Sequence, residues 1–326
     1  MKKLVSLITV LALTLCFLGG CGNNSGGEES ASGIKMYMTV STADTFRQNL
    51  MNAAKAKAEA MGAELTTKDA EGSLENQISQ IEEAVSQGYD VILCNPVDVD
   101  TALQLKLAAG ELPIVFWNSC PADEYLEEDR YIFVGSNEED AGRYQAEYIL
   151  DKFAGKDSIN VAIFEGQKLH SATLGRTNAL KAVLDDSEKT INYVFEDYAD
   201  WNTDMAKNQF DLFLKTGQTA DVAACNNDSM ALGVIQSCEE NKISFDDITI
   251  VGVDATEEGC AAIKEGKMEF TALQPAVGQG EHAIMAAARL AQGKSLKGME
   301  YLDESGKYVW VPFEKVDNSN VAKYQK

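Results

Sequence analysis

The chain has 326 residues, with 28 basic against 51 acidic side chains and a formal net charge of −23. A surface with this charge repels nucleic acid and anionic lipid, so we expect neither of them as a partner. The two histidines and seven cysteines show no spacing typical of a metal site. The sequence therefore predicts no metal and no cofactor.

The first 21 residues have the pattern of an export signal. Lys2 and Lys3 precede an apolar run over residues 4–18, which is too short for a membrane-spanning helix. The run ends in Leu18-Gly19-Gly20-Cys21, which resembles the site cut by lipoprotein signal peptidase. We therefore expect a signal peptide over residues 1–20 and a lipid on Cys21, which alone anchors an extracytoplasmic protein to the cell membrane. The alternative is a signal peptide cut elsewhere, with Cys21 incidental.

The next residues predict a tether followed by a long folded body. Residues 21–33 are rich in Gly, Ser, Asn and Glu and show no apolar periodicity. Close to 290 residues follow, which is long for one core and favours two lobes. Five cysteines fall in this body, and the sequence leaves open whether two of them pair in a disulfide: Cys94, Cys120, Cys225, Cys238 and Cys260.

The body alternates short apolar runs with longer segments of helical period. This rhythm predicts an α/β fold of two doubly wound parallel-sheet lobes, with helices on both faces, divided near residue 136. The predicted strands are 35–40, 64–69, 91–94, 114–117, 131–134, 161–164, 191–195, 222–225, 248–253 and 270–273. The predicted helices are 44–61, 74–86, 99–109, 141–153, 174–184, 205–214, 230–240 and 257–264.

Polar and aromatic residues recur just after the predicted strands. Ligands of parallel sheets bind at the carboxyl ends of the strands, so these residues are expected to line a cleft. Planar carboxylate, amide and guanidinium groups hold adjacent hydroxyls, and aromatic rings cover the C–H faces of a sugar, so the set fits a neutral polyol. The candidates are Asp44, Phe46, Asn95, Asn118, His170, Arg176, Trp201, Asn227, Asp254 and Gln274.

Each candidate also has an ordinary structural explanation. Asp and Asn at strand ends commonly cap the following helix, which applies to Asp44, Asn95 and Asp254. Phe46 falls on the apolar stripe of a predicted helix, and Trp201 could be a packing aromatic. The recurrence of such residues at many strand ends, rather than any one of them, favours a binding cleft.

Five short segments carry the most specific patterns in the chain. They are Cys94-Asn95-Pro96-Val97-Asp98, Pro113-Ile114-Val115-Phe116-Trp117-Asn118, Val134-Gly135-Ser136-Asn137 with Ala141-Gly142, Asn226-Asn227-Asp228-Ser229-Met230-Ala231-Leu232-Gly233 and Val251-Gly252-Val253-Asp254-Ala255. In combination they resemble the periplasmic sugar-binding proteins of the ribose and galactose/glucose class. The resemblance covers residue 34 to about residue 294.

The resemblance implies a type I periplasmic binding protein fold with a three-segment hinge. One lobe would comprise residues 34–135 plus about 275–300, and the other 136–274 plus about 301–320. The crossovers are expected near residues 135–137, 254–256 and 274–277. A sugar or sugar-like polyol would close the hinge, and the closed form would deliver it to the permease of an ABC importer.

The resemblance also implies roles for the candidate residues. Asp44 and Asn95 would bind ligand hydroxyls, and Phe46 and Trp201 would cover the two faces of a sugar ring. Further polar contacts are implied at four positions: His170, Arg176, Asn227 and Asp254. Two departures leave the sugar undetermined, namely Ala172 in place of an aspartate and Gln274 in place of the asparagine of the galactose/glucose type.

Other classes of protein fit less well. The chain lacks a Gly-x-Ser-x-Gly elbow, a Walker loop and a His-Glu-x-x-His motif, so we do not expect an enzyme. Residues 278–283 match Gly-x-Gly-x-x-Ala, but no strand with an acidic residue follows at the distance that dinucleotide binding requires. The remaining alternative is a sensory lipoprotein that presents its ligand-bound form to a membrane receptor or kinase.

Overall fold

The computed structural model describes residues 30–324 of the chain. The predicted signal peptide, Cys21 and residues 22–29 of the predicted tether lie outside the described residues. Within residues 30–324, no helix is both long and apolar enough to span a bilayer. The same part of the chain contains no group of three or more His, Cys, Asp or Glu side chains able to hold a metal ion.

Strands and helices alternate along the whole described chain. The strands are β1 (Lys35–Val40), β2 (Glu64–Asp69), β3 (Val91–Cys94), β4 (Ile114–Trp117), β5 (Tyr131–Gly135), β6 (Ser158–Glu165), β7 (Thr190–Tyr198), β8 (Val222–Cys225), β9 (Thr249–Asp254), β10 (Phe270–Leu273), β11 (Tyr308–Trp310) and β12 (Glu314–Asp317). The α-helices are α1 (Thr45–Met61), α2 (Leu74–Ser86), α3 (Ala102–Ala109), α4 (Glu138–Lys152), α5 (Ser171–Asp185), α6 (Thr203–Lys215), α7 (Asp228–Asn241), α8 (Glu257–Lys264) and α9 (Ala276–Ala291).

The strands form two sheets, one in each lobe. The first sheet has the order β11-β5-β4-β3-β1-β2 and is parallel throughout. The second has the order β12-β10-β9-β8-β6-β7, and only β12 runs antiparallel to its neighbour. The central strands β3, β4 and β8 are buried along their whole length, because helices cover both faces of each sheet. The predicted α/β architecture of two parallel-sheet lobes is confirmed.

Several strand and helix boundaries agree with the sequence prediction, while some helix starts differ. Helices α4 and α5 begin three residues before the predicted positions 141 and 174. The side chains of Asn137 and His170 cap them by accepting hydrogen bonds from the N–H groups of Glu139 and Ala172. The apolar periodicity starts only after this first turn, so it predicted helices that were too short.

The chain crosses between the lobes at residues 136–137, 274–275 and 311–313. The predicted crossover at 254–256 is wrong, because β9 and β10 are neighbours in the second sheet. Strand β11 pairs with β5, so residues 308–310 belong to the first lobe and not, as predicted, to the second. Two crossing segments are joined directly, since Ser136 Oγ donates to the carbonyl of Val311 at 2.6 Å.

The end of the predicted tether is part of the first lobe. Ala31 is fully buried in its core, and the Ala31 N–H donates to the carbonyl of Met61 at 2.8 Å. A single small apolar residue produces no periodic pattern, so Ala31 was predicted to be part of the solvated tether.

Candidate functional site

A cavity of about 250 Å³ lies between the two lobes, at the carboxyl ends of their strands. Pockets for drug-sized ligands occupy about 300–1,000 Å³, so this cavity suits a smaller molecule. Nine of the ten candidate residues line it, and Asn95 does not. The full lining is Asp44, Thr45, Phe46, Arg47, Asn118, His170, Ala172, Arg176, Trp201, Asn227, Ser229, Asp254, Thr256 and Gln274.

The first lobe contributes the start of α1 and the residue that follows β4. Asp44 caps α1 by accepting from the Arg47 N–H at 2.7 Å, and its carboxylate pairs with Arg47 Nη1 at 2.9 Å. Arg47 Nε donates to Asn118 Oδ1 at 3.3 Å. Phe46 also packs against the first-lobe core. Asp44 therefore caps a helix and Phe46 packs against the core, as their ordinary structural explanations predicted. Both residues also line the cavity.

Arg176 is a buried residue of the second lobe that hydrogen-bonds to three neighbouring residues beside the cavity. It is 3% exposed and reaches the cavity from α5. Its guanidinium donates from Nε to Glu138 at 2.7 Å, from Nη1 to the Asn226 carbonyl at 2.6 Å and from Nη2 to Gln274 Oε1 at 3.1 Å. These partners fix the planar guanidinium in one orientation beside the cavity.

Asp254 presents a carboxylate with few partners to the cavity. Within residues 30–324 this carboxylate accepts no hydrogen bond, and its ion pair with Arg176 Nη1 is long, at 3.9 Å. Burial raises the pKa of Asp254 well above its ordinary value; Arg176 opposes this shift, and the carboxylates of Asp228, Glu138 and Asp44 add to it. A buried acceptor of this kind is stabilised when a ligand hydroxyl donates to it.

His170 is a neutral imidazole at the edge of the cavity. Burial lowers its pKa to about 3, with smaller contributions from Arg47 and Arg176. Its Nδ1 accepts the Ala172 N–H at 3.2 Å, so the proton resides on Nε2, which faces Ser119 Oγ at 3.4 Å. The predicted cleft residue is therefore also the cap of α5, and it contacts the opposite lobe.

Trp201 supplies an aromatic wall in the second lobe. Its ring lies edge to face against His170, with centroids 5.5 Å apart, and the Arg176 guanidinium lies 5.7 Å from the ring centroid. A Cβ at Gly166 would fall 2.1 Å from the indole, so only glycine leaves room for the ring there. The position of Trp201 thus depends on a residue that the sequence analysis did not select.

Asn95 is the one candidate that the structure places away from the cavity. It is fully buried, and its Oδ1 accepts from the Ser41 hydroxyl at 2.7 Å and the Ser41 N–H at 3.2 Å. Its Nδ2 donates to the Trp117 carbonyl at 3.2 Å and to Ser119 Oγ at 3.1 Å. These four hydrogen bonds use the full capacity of the amide, so the predicted contact between Asn95 and a ligand hydroxyl is wrong.

Five residues line the cavity in addition to the predicted ones. Asn227 and Gln274 lie in the second-lobe wall as expected, and Asn227 also caps α7 by accepting from the Met230 N–H. The lining residues not selected were Thr45, Arg47, Ala172, Ser229 and Thr256. All five lie within two residues of a selected position, in or just before the first turn of a helix, so extending each candidate into the following turn would have found them.

Fold and cleft together define a two-lobed ligand-binding protein. The sequence profile of the periplasmic binding protein domain family matches residues 35–295, and the chain belongs to this family. A putative rhizopine-binding protein of Rhizobium meliloti is 33% identical over 81% of this chain and 83% of that protein. The D-galactose/methyl-galactoside binding periplasmic protein of Haemophilus influenzae is 25% identical over the full length of both chains.

Solved structures agree with this assignment. An ABC transporter solute-binding protein from Bacillus halodurans C-125, solved with bound myo-inositol, superimposes with a TM-score of 0.80. The two are 27% identical, and the match covers 91% of this chain and 98% of that chain. The predicted family, the type I periplasmic binding protein fold and the absence of an enzymatic role are confirmed, since the family and the relatives named here are binding proteins. The family also implies an extracytoplasmic location.

Proposed function

We propose that this protein captures a monosaccharide or cyclic polyol between its lobes and delivers it to an ABC importer. The observation that supports this most directly is the Asp254 carboxylate, which faces a small cavity with no hydrogen-bond donor from the described chain. A ligand hydroxyl supplies that donor. Arg176 and Asn118 offer further polar groups from opposite lobes, so one ligand bridges both.

The balance of charge in the cavity favours a neutral ligand. Arg47 is paired with Asp44, and Arg176 is paired with Glu138. A fixed anion would need an unpaired cation, and the remaining acidic residue of the lining, Asp254, supplies no positive charge in either protonation state. The relatives named above are a putative rhizopine-binding protein, a D-galactose/methyl-galactoside binding protein and a protein solved with bound myo-inositol, so a hydroxyl-rich ring is the ligand class that we assign to this chain.

Isothermal titration of the purified protein tests this proposal. The panel is myo-inositol, D-ribose, D-galactose, D-glucose and xylitol, with sucrose as a ligand too large for the cavity. We expect saturable binding of at least one small polyol and its loss, by about 10-fold or more, in Asp254→Ala. If none of the small polyols binds to the wild-type protein, the proposed ligand class is wrong.

Delivery and sensing are distinguished in cells. Deletion of the gene should reduce uptake of the labelled ligand if the protein serves an importer. Unchanged uptake, together with loss of the transcriptional response to the same ligand, would instead assign it to a membrane receptor or kinase.

We also propose that the mature protein is anchored by a lipid on Cys21. The support is the basic start, the short apolar run and the Leu-Gly-Gly-Cys sequence. Labelling cells with an alkyne-bearing fatty acid should tag the wild-type protein and leave Cys21→Ala untagged and released from membranes. A tagged Cys21→Ala protein would show that the lipid is elsewhere.

A further inference from the structure

The loop that carries Asp254 has an unusual backbone. Asp254 has φ of 115° and the following Ala255 has φ of 52°, both in the left-handed region that non-glycine residues rarely adopt. Two such residues in succession cost free energy, and they persist only where surrounding contacts fix the backbone. The loop directs Asp254 toward the cavity, so the contacts that fix it decide where the carboxylate lies.

Two buried side chains behind the loop supply these contacts. Asp228, the first residue of α7, is fully buried, and its Oδ2 accepts from the Thr256 N–H at 2.8 Å and the Thr256 hydroxyl at 3.3 Å. Its Oδ1 accepts from Thr271 Oγ1 on β10 at 2.7 Å. Thr271 Oγ1 in turn accepts the Ala255 N–H at 3.2 Å. The two consecutive N–H groups that follow Asp254 are therefore both held by this pair.

Two glycines leave room for the Asp228 carboxylate behind the loop. A Cβ at Gly252 in β9 would fall 2.3 Å from Asp228 Oδ1, and one at Gly259 in α8 would fall 2.3 Å from Oδ2. Neither Asp228 nor Thr271 lines the cavity. A carboxylate in such a closed space is costly to bury. Two of the three hydrogen bonds that it accepts come from Thr256 in the loop, and the third comes from Thr271.

We propose that Asp228 and Thr271 are positioning residues that hold the strained 254–256 loop and so place the Asp254 carboxylate against the ligand. This inference rests on the proposed function, because it assigns Asp254 to ligand binding. It extends the site beyond its lining to a second layer, made from the start of α7 and strand β10.

A double-mutant cycle tests the inference. Thr271→Val removes the hydroxyl with little change in shape, and we expect it to weaken polyol affinity by about 10-fold in the wild-type background. In the Asp254→Ala background, Thr271→Val should lower the polyol affinity by less than about twofold, because the carboxylate that Thr271 positions is absent. Equal losses in both backgrounds would overturn the inference while leaving the proposed function intact.

Two further variants separate positioning from a general loss of stability. Thr249→Val alters a buried threonine at the opposite end of β9 and should leave affinity unchanged. Asp228→Asn retains one acceptor for the Thr256 N–H and can donate to Thr271, so we expect it to keep more affinity than Asp228→Ala. If Thr249→Val weakens binding as much as Thr271→Val, the effect of Thr271 is only structural.

Amide hydrogen exchange provides a readout that needs no ligand. We expect the Ala255 and Thr256 amides to exchange about 10-fold faster in Thr271→Val than in Thr249→Val. Unchanged exchange would overturn the role of the pair. A wild-type protein that binds no polyol would refute the proposed function and with it the assignment of Asp254, whereas faster exchange would still show that the pair holds the loop.

Discussion

His170 Nε2 lies 3.4 Å from Ser119 Oγ, and this contact joins the start of α5 in the second lobe to the end of β4 in the first. Ser119 Oγ also accepts from Asn95 Nδ2 at 3.1 Å, and Asn95 is held by Ser41. The hydrogen-bonded series Ser41–Asn95–Ser119–His170 therefore joins strand ends of the first lobe to the start of α5 in the second lobe. It lies outside the cavity lining except at His170.

Ser119→Ala should shift the lobes toward an open arrangement. The change leaves His170 without its acceptor in the opposite lobe, so the lobe arrangement of this structure loses a contact that a more open arrangement would not have. We expect the ligand affinity to fall by about fivefold and the ligand-free radius of gyration, measured by small-angle X-ray scattering, to rise. Ser41→Ala is the matched control, because it removes a hydrogen bond within the first lobe only. Equal radii in Ser119→Ala and the wild type would contradict this role.

Asn95→Ala should lower the free energy of unfolding and leave the preference among polyol ligands unchanged. It leaves the N–H and the hydroxyl of Ser41 without their acceptor in a buried region, and it removes one hydrogen bond each from the Trp117 carbonyl and from Ser119 Oγ. We expect this loss to cost about 2–3 kcal/mol of unfolding free energy. Urea denaturation measures this loss, and titration with two competing polyols measures specificity. A protein of normal stability that has lost affinity would restore Asn95 as a direct ligand contact.

The sequence predicted the strands more accurately than the hinge. Fully apolar strands such as β3 and β4 are visible because burial on both faces requires every residue to be apolar. The crossing at 311–313 follows a strand of three residues, Tyr308–Trp310, too short to give a pattern. The prediction that Asn95 contacts the ligand failed for a similar reason. The sequence shows that an amide side chain follows β3, but it does not show whether that amide binds a ligand or other protein groups. Its partners Ser41 and Ser119 are distant in the sequence, so only the folded structure reveals them.

Trp201→Ala should weaken polyol binding by about 1–3 kcal/mol and leave the fold intact, because the ring is only partly buried. Gly166→Ala should have an effect in the same direction, since its Cβ would fall 2.1 Å from the indole and displace it. Titration calorimetry measures both variants. Trp310→Phe, which changes a tryptophan on β11 of the first lobe, is the control and should bind normally. Normal affinity in Trp201→Ala would remove the ring from the site.

Glu165 at the end of β6 should make stability depend on pH independently of the ligand. Burial, together with the neighbouring carboxylate of Glu196, raises the pKa of Glu165 to about 7; Lys181 opposes this shift and Asp197 adds to it. The native state therefore binds this proton more tightly than the unfolded chain, whose carboxyl has an ordinary pKa near 4.5. It follows that the stabilising effect of the proton is present below pH 4.5 and is lost as the pH rises through 7.

Glu165→Gln should remove this dependence. The variant keeps the size of the protonated side chain and cannot ionise, so its advantage in unfolding free energy over the wild type should be small at pH 5 and larger at pH 8 by on the order of 2 kcal/mol. Urea denaturation at both pH values measures the difference in unfolding free energy between the variant and the wild type. The other titrating groups are the same in both proteins, so their contributions cancel in this difference. Glu196→Gln is a useful comparison, because it relieves the same repulsion and also loses the ion pair with Lys181 at 2.7 Å. An advantage of Glu165→Gln that is equal at pH 5 and pH 8 would show that Glu165 is ionised throughout this range in the native protein.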